Sequence, residues 1–211
     1  MQAKPANTVQ SAHSGALHHI GQALALESVM AKTGANPVAQ ILQHQGDFYE
    51  WRDYPEGGVW DHATGYGYFY HAHPGPAFED EHGHFHLFWS PSRDARINLA
   101  SLSMDKFGRL IGASAPNRWH VELGEGPDAT GRYAQFKVEL AFPCFAANQW
   151  LGAVIRGLAA PLSALHMRAL NLLADPKLCE DRGTGVVAQM RIDLAQHFAA
   201  LQRPSLKPVK R

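Results

Sequence analysis

Five of the thirteen histidines fall between His71 and His86, as His71-Ala72-His73 and His82-Gly83-His84-Phe85-His86. In an extended chain successive side chains point to opposite faces, so His71 and His73 share one face, and His82, His84 and His86 share one face. Directly opposed residues of a hairpin hold their Cβ atoms about 4.5 to 5.5 Å apart. Two imidazoles at that separation converge on one ion at about 2.0 to 2.2 Å per bond, and a third from the neighbouring pair completes a facial set. The chemistry expected of this segment is therefore a transition metal held by His71, His73, His82, His84 and His86. His71, His73 and His84 are the expected ligands, with His82 or His86 as the fourth or behind them. Histidine ligands leave iron, zinc and copper open, and a carboxylate from Glu79, Asp80 or Glu81 would favour iron. The alternatives are an ion-free polar pocket and incidental surface.

A hairpin across the loop from Pro74 to Glu81 is needed to bring the two runs together. Pairing His73 with His82 also pairs His71 with His84 and sets Phe69 opposite His86. The other face then carries Tyr68, Tyr70, Phe85 and Leu87, an apolar set suited to a core. Arg118 and Tyr70 are the candidate substrate contacts. Arg118 follows a proline and a strand and offers a bidentate fork to a carboxylate, or ties its loop to Glu180 or Asp181. No catalytic residue is assigned.

Stepping outward, Leu17, Ile20, Leu24 and Met30 recur at helical spacing, and Asn36-Pro37 caps a short second helix. Residues 1–14 read as disordered. Phe48 to Pro55 reads as a strand running into a turn at Pro55, Gly57 and Gly58. Tyr66–His73, His82–Trp89, Ile97–Met104, Leu110–Ser114 and Trp119–Leu123 are further strands, with Asp105 in a hairpin connection. Ala134 to Phe142 alternates with period 2 and reads as another strand. Phe145–Leu158 and Leu162–Leu173 read as helices. Val186 to Ile192 fits strand or helix, and strand followed by a helix capped by Asp193 is preferred. Short strands with close turns indicate α+β: an antiparallel sheet of five or more strands packed with N- and C-terminal helices, one domain over 15–203 with a flexible tail at 204–211.

The 211 residues are 45% hydrophobic and 18% charged, with zero formal net charge at pH 7. A nucleic-acid partner is not expected without a basic patch. No apolar run approaches the roughly 20 residues that span a bilayer, and no signal peptide is seen, so a cytoplasmic location without a membrane is expected. The two cysteines, Cys144 and Cys179, match no zinc spacing, and Cys144 reads as a buried thiol in an apolar stretch.

The run Tyr49 to Glu56, Tyr70-His71-Ala72-His73 and Glu81 to Phe88 resemble a bacterial domain family of unknown function. Asn117-Arg118-Trp119, Val138 to Pro143, Asn148 to Leu151 and Glu180-Asp181-Arg182 resemble its later blocks, and the likeness spans about residues 15 to 200. Where such relatives carry Trp-Val-Thr-Gly-Glu, this chain has Trp119-His120-Val121-Glu122-Leu123. The resemblance implies one domain and no particular reaction. A looser likeness is to cupins, onto whose metal motif His71, His73 and Glu79 can be laid.

The residues thus point first to a metal-dependent oxidoreductase acting on a small molecule. A non-catalytic metal or haem binding protein is the second reading, since five histidines exceed the three an enzyme needs. A structural or partner-binding module is the third.

Overall fold

Strand alternation and turn chemistry between Asp47 and Pro116 produce an antiparallel meander. The computed structural model describes residues 5–92, 95–118, 123–124 and 131–203. Helices α1 (Pro5–Ala31) and α2 (Pro37–Leu42) come first. Five strands follow: β1 (Tyr54–Asp61), β2 (Tyr66–His71), β3 (Glu81–Ser92), β4 (Ala95–Asp105) and β5 (Leu110–Pro116). A 3-10 turn (Arg132–Gln135) leads to α3 (Phe145–Gly157), α4 (Ala159–Leu172) and α5 (Pro176–Glu180), and β6 (Val186–Arg191) and α6 (Leu194–Gln202) close the chain. The six strands form one sheet in the order β1-β2-β3-β4-β5-β6, every neighbouring pair antiparallel. The expected α+β class, sheet and flanking helices are all present.

The register of β2 against β3 is the one the histidine spacing requires, with His71 opposite His84 and Phe69 opposite His86. Tyr68, Tyr70, Phe85 and Leu87 are all at most 1% exposed, on the face covered by helices. Phe85 meets Trp150 of α3 there, and the Tyr68 hydroxyl donates to Asn148 Oδ1. Burial of these rings and of the aliphatic side chains around them is the main stabilising term on this face. Helix α1 lies on the far side of α3, where the Trp150 indole donates to Glu27 Oε1 at 2.8 Å.

Several local expectations are corrected. The helical pattern begins well before Leu17, so the stretch to Ser14, expected to be disordered, is helical from Pro5. The first strand starts at Tyr54 rather than Phe48, and the glycines expected to end it, Gly57 and Gly58, lie inside it at an irregularity between Tyr54 and Val59. Within the expected strand Ala134–Phe142 the alternation holds only from Phe136 to Leu140, where Phe136 and Val138 are buried, and the segment pairs with no strand among the described residues. Its backbone is satisfied by side chains instead, which meets the same hydrogen-bonding requirement without a ladder. Asp61 Oδ2 accepts from Glu139 N, Thr64 Oγ1 donates to Lys137 O, and Asn148 Nδ2 donates to Leu140 O and Phe142 O. Burial raises the Asp61 carboxyl, but the amides of Glu139, Thr64 and Ala63 outweigh it and hold the group below the usual carboxylate range.

The ambiguous C-terminal segment resolves as strand then helix, with Asp193 Oδ1 capping α6 through Gln196 N at 2.9 Å. Asp105 is the hairpin residue expected, accepting from Phe107 N and Arg109 N. Trp119 to Glu122 of the expected strand Trp119–Leu123, most of the loop 124–131, and the tail 204–211 lie outside the described residues. Leu123 itself bridges to Asn98. Among the described residues no helix is long and apolar enough to cross a membrane.

Candidate metal centre

The sheet face away from the helices carries two rows of side chains set by register. One row runs His71, His84, Ser103, Gly112, Arg191, and the next runs Phe69, His86, Ser101, Ser114, Gln189. Small residues beside the imidazoles leave room over the sheet.

In this setting the Nε2 atoms of His71, His84 and His86 form a nearly equilateral triangle. They lie 3.0 Å apart for His71–His84, 3.1 Å for His84–His86 and 3.1 Å for His86–His71. The opposite nitrogen of each ring faces a different partner. His84 Nδ1 is 2.6 Å from Glu81 Oε1, and His71 Nδ1 is 3.3 Å from Asp53 Oδ1. His86 Nδ1 is 3.2 Å from both the Asn98 amide and the Ser101 hydroxyl. A carboxylate at Nδ1 fixes the proton there and leaves Nε2 with its lone pair. The lone pairs of His71 and His84 face each other at this range and repel, and His86 adds a third when its Nδ1 donates to the Ser101 hydroxyl. One shared proton relieves a single pair, whereas a cation above the triangle relieves all three.

The cluster is buried on one side and open on the other. His84 is 7% exposed and His86 2%. Burial raises the Glu81 carboxyl, but the hydrogen bond and charge of His84 more than offset this and keep it below the usual carboxylate range. Burial also lifts the Asp53 carboxyl.

His73 and His82 part from this group. Strand β2 ends at His71, so His73 sits at the rim, stacked on Trp51 with ring centroids 5.0 Å apart. Ligand atoms of His71, His73 and His84 still lie within 4.8 Å of one another. This is the expected set of ligands, close enough together to hold one ion, and the His71, His84, His86 triangle is tighter still. His82 is turned away by an irregularity between Glu81 and Gly83. Its Nδ1 is hydrogen-bonded to the Tyr70 hydroxyl at 2.7 Å and its ring stacks on Phe48. Of the expected five, His71, His84 and His86 converge, His73 joins His71 and His84 from the rim, and His82 turns to the opposite face. The same irregularity rotates Glu81 onto the histidine face in the place His82 vacates. Gly83 is required at this point, because a Cβ there would lie 2.6 Å from His71 O and 2.7 Å from the Tyr70 hydroxyl oxygen.

Tyr70, expected to contact substrate, is fully buried on the helix-covered face, where burial raises its hydroxyl far above the ordinary range. Arg118 is exposed beyond the end of β5 and does not line the cavity beside the histidines. That cavity has a volume of about 440 Å³. His84, His86, Ser101 and Ser114 floor it, Trp51 and His73 stand on one side, and Arg182 stands on the other. The residue that builds the Arg182 side is Asn117, which is fully buried and donates Nδ2 to Leu178 O and Thr184 O at 2.8 and 3.0 Å. Asn117 and Arg182 were both legible only as parts of polar blocks, since nothing in sequence brings those blocks together. Of the nearby carboxylates, Glu79 is exposed and Asp80 pairs with Arg191 at 2.7 Å. Only Glu81 reaches the cluster from that loop, and it does so behind His84.

Residues 17–192 match the family described as Domain of unknown function (DUF6969). The chain belongs to that family. The match runs from within α1 to the residue after β6 and so contains every member of the histidine cluster. No curated protein and no solved structure matches the chain. The cupin likeness does not extend to the fold, because a single open meander is not a two-sheet jelly roll. Nor does it extend to Glu79, which stays on the loop surface.

Proposed function

We propose that this protein binds one transition metal through His71, His84 and His86 and uses it as an oxidoreductase acting on a small molecule in the adjoining cavity. The observation that carries the reading is the convergence of three Nε2 atoms at 3.0 to 3.1 Å while their Nδ1 atoms face Asp53, Glu81, Asn98 and Ser101. Metal-ligating histidines are held this way by outer hydrogen bonds that fix tautomer and ring orientation.

The ligand set also bears on the chemistry: three imidazoles would leave positions on an iron, zinc or copper ion open to reactants, and the oxidoreductase reading would use an iron or copper ion there. Haem fits poorly, because its macrocycle occupies four positions around the iron and leaves only two opposite ones for histidine.

His73 supports a second reading. Its ligand atom lies within 4.8 Å of those of His71 and His84, and a fourth histidine would close the site for storage or delivery. Elemental analysis of untagged protein, wild type and His73→Ala, separates the two. Stoichiometric iron that remains in His73→Ala, with oxygen uptake on adding substrate candidates, supports the enzyme. Metal lost with His73, without turnover, supports storage. Metal-free protein after growth in supplemented medium overturns both.

A further inference from the structure

We propose that the cavity beside the histidines takes a small planar aromatic alcohol, its ring laid along Trp51 and its hydroxyl directed to Ser114. This deepens the reading of the metal centre and rests on it only for the chemistry at the reacting end.

Trp51 is unfavourably placed for folding alone. It is 64% exposed, so its indole forgoes the burial that stabilises a fold. Its backbone has φ of 65°, left-handed and costly for a residue with a Cβ. Such a conformation persists where the surrounding structure enforces a particular side-chain placement. Here Trp51 N donates to Ala72 O at 2.8 Å, which pins the residue to the chain just beyond β2. The Tyr54 hydroxyl accepts from Tyr49 N at 2.6 Å and donates to Asp47 O at 2.9 Å, tying the loop down on its approach. The indole lies on His73 with ring centroids 5.0 Å and planes 19° apart. A flat aromatic pair is thereby held along one side of the cavity.

The same loop reaches the metal centre. Asp53, two residues on from Trp51, places Oδ1 3.3 Å from His71 Nδ1. One short segment thus sets the indole and one imidazole of the triangle together. A molecule held by the ring is therefore held in a defined relation to the converging nitrogens.

The rest of the lining decides the class of molecule. Pro74, Ala77, Pro116 and Val186 add apolar wall, and ligand cavities of this kind use a few polar groups to fix orientation. A flat aromatic ring gains buried area and offset stacking against an indole, whereas a saturated ring of the same size gains only the area. On the floor, Ser114 lines the cavity although it is only 5% exposed, so the area it keeps opens there. Its hydroxyl both donates and accepts, which matches an alcohol group. Ser101, opposite Ser114 in the register, has its own hydroxyl turned to His86 Nδ1 at 3.2 Å. A volume of about 440 Å³ lies at the small-molecule end of the range for ligand sites.

The test is calorimetric titration of wild type, Trp51→Leu, Trp51→Phe and Ser114→Ala with phenol, cyclohexanol and toluene, each in zinc-loaded and metal-free protein. Wild type is expected to bind phenol about 2- to 10-fold more tightly than cyclohexanol, as stacking beyond area burial provides. Trp51→Leu keeps apolar bulk without a flat ring and should lose that preference, and Trp51→Phe should retain most of it. Ser114→Ala should weaken phenol about 2- to 10-fold, as loss of one hydrogen bond does, and leave toluene unchanged. Metal content should equal that of wild type in Trp51→Leu, which separates loss of the wall from loss of the metal centre. An unchanged preference for phenol in Trp51→Leu overturns the proposal and leaves the metal reading intact. A preference that depends on Trp51 in a protein that takes up no metal sustains the wall and overturns the metal reading instead. Loss of metal from Trp51→Leu together with loss of phenol binding assigns the indole to holding His73 and overturns the proposal. Unchanged phenol affinity in Ser114→Ala, or equal weakening of phenol and toluene, overturns the place given to the hydroxyl. Failure of phenol to bind wild type at about 10 mM overturns the proposal.

Discussion

Glu81 Oε1 lies 2.6 Å from His84 Nδ1, while the other nitrogen of the same ring lies 3.0 Å from His71 Nε2. The carboxylate is almost fully enclosed, its side chain 2% exposed, so it acts on this imidazole with little screening by solvent. Replacing Glu81 by Gln keeps the shape and an acceptor but removes the charge that makes His84 a stronger donor to metal. Affinity should fall about 10- to 100-fold, read by competition against a chelator of known strength. Asp80→Asn, one residue away but paired with Arg191, serves as the control and should change affinity less than about twofold. Equal affinities of Glu81→Gln and wild type would remove the carboxylate from the account of the site.

The division among the five histidines makes a sharper test. Ala at His71, His84 or His86 should each reduce bound metal to less than about 0.1 per chain under conditions that fill the wild type, because two imidazoles hold an ion far less tightly than three. His82→Ala should retain its metal. The His82 ring faces Phe48 and Tyr70, so its loss should appear in stability, at about 1 to 2 kcal/mol for a half-buried stacked ring and its hydrogen bond. A variant series in which His82 matters as much as His86 would mean that the irregularity at Gly83 does not turn His82 away.

The contrast between His82 and His86 also marks where reading from sequence succeeds. Period-2 alternation and turn signals were enough for the meander, for the apolar face of Tyr68, Tyr70, Phe85 and Leu87, and for the pairing of His71 with His84. These follow from side-chain parity and burial, which local sequence carries. A bulge shifts parity by one residue, and nothing in Glu81-His82-Gly83 distinguishes it from a regular strand except a glycine that regular strands also tolerate. The exchange of Glu81 for His82 on the metal face was therefore hidden. Ala134 to Phe142 shows the complementary case. Alternating burial was legible there, but its backbone partners are side chains of Asp61, Thr64 and Asn148, remote in sequence. Arg182 entered the site in place of Arg118 for the same reason, since loop–loop contact depends on the assembled sheet.

Away from the site, His166 should make stability depend on pH. It is fully buried in α4, with Nε2 2.7 Å from Gly124 O and Nδ1 2.9 Å from the Tyr133 hydroxyl. Burial lowers its pKa below the ordinary 6.5, and the Gly124 carbonyl only partly offsets this. The unfolded chain therefore takes up a proton at a pH where the folded chain does not. Stability should be fully present above about pH 6.5 and fall as pH drops from there through the folded-state value. His166→Gln keeps a donor for Gly124 O without a titrating ring. Its unfolding free energy in urea should drop less between pH 8 and pH 5.5 than that of wild type, whatever its absolute value. Equal drops in the two proteins would show that His166 does not carry the dependence.

The wall of the cavity that bears Arg182 depends on Asn117. This residue is fully buried and its backbone N donates to Gly185 O at 2.8 Å. Its Nδ2 donates to Leu178 O and Thr184 O, and its Oδ1 accepts from Arg118 N at 2.7 Å. One side chain thus joins the end of β5 to both ends of the segment from Leu178 to Gly185. Asn117→Ala removes the side-chain links and leaves the part-buried carbonyls of Leu178 and Thr184 without this donor, at a cost of about 1 to 3 kcal/mol. The loss should be local before it is global, because the segment is exposed on its outer side and β5 is held by β4 and β6 regardless. Trypsin provides a readout at the place that matters, since Arg182 offers a cleavable bond only when its backbone can leave the wall. Cleavage after Arg182 should be about 5- to 100-fold faster in Asn117→Ala, following the rise in the locally open population. Metal content should stay at the wild-type level, because His71, His84 and His86 are positioned by β2 and β3. Unchanged cleavage would mean that the segment is held without Asn117. Loss of metal together with faster cleavage would mean that the loop and the metal centre form one cooperative unit rather than two.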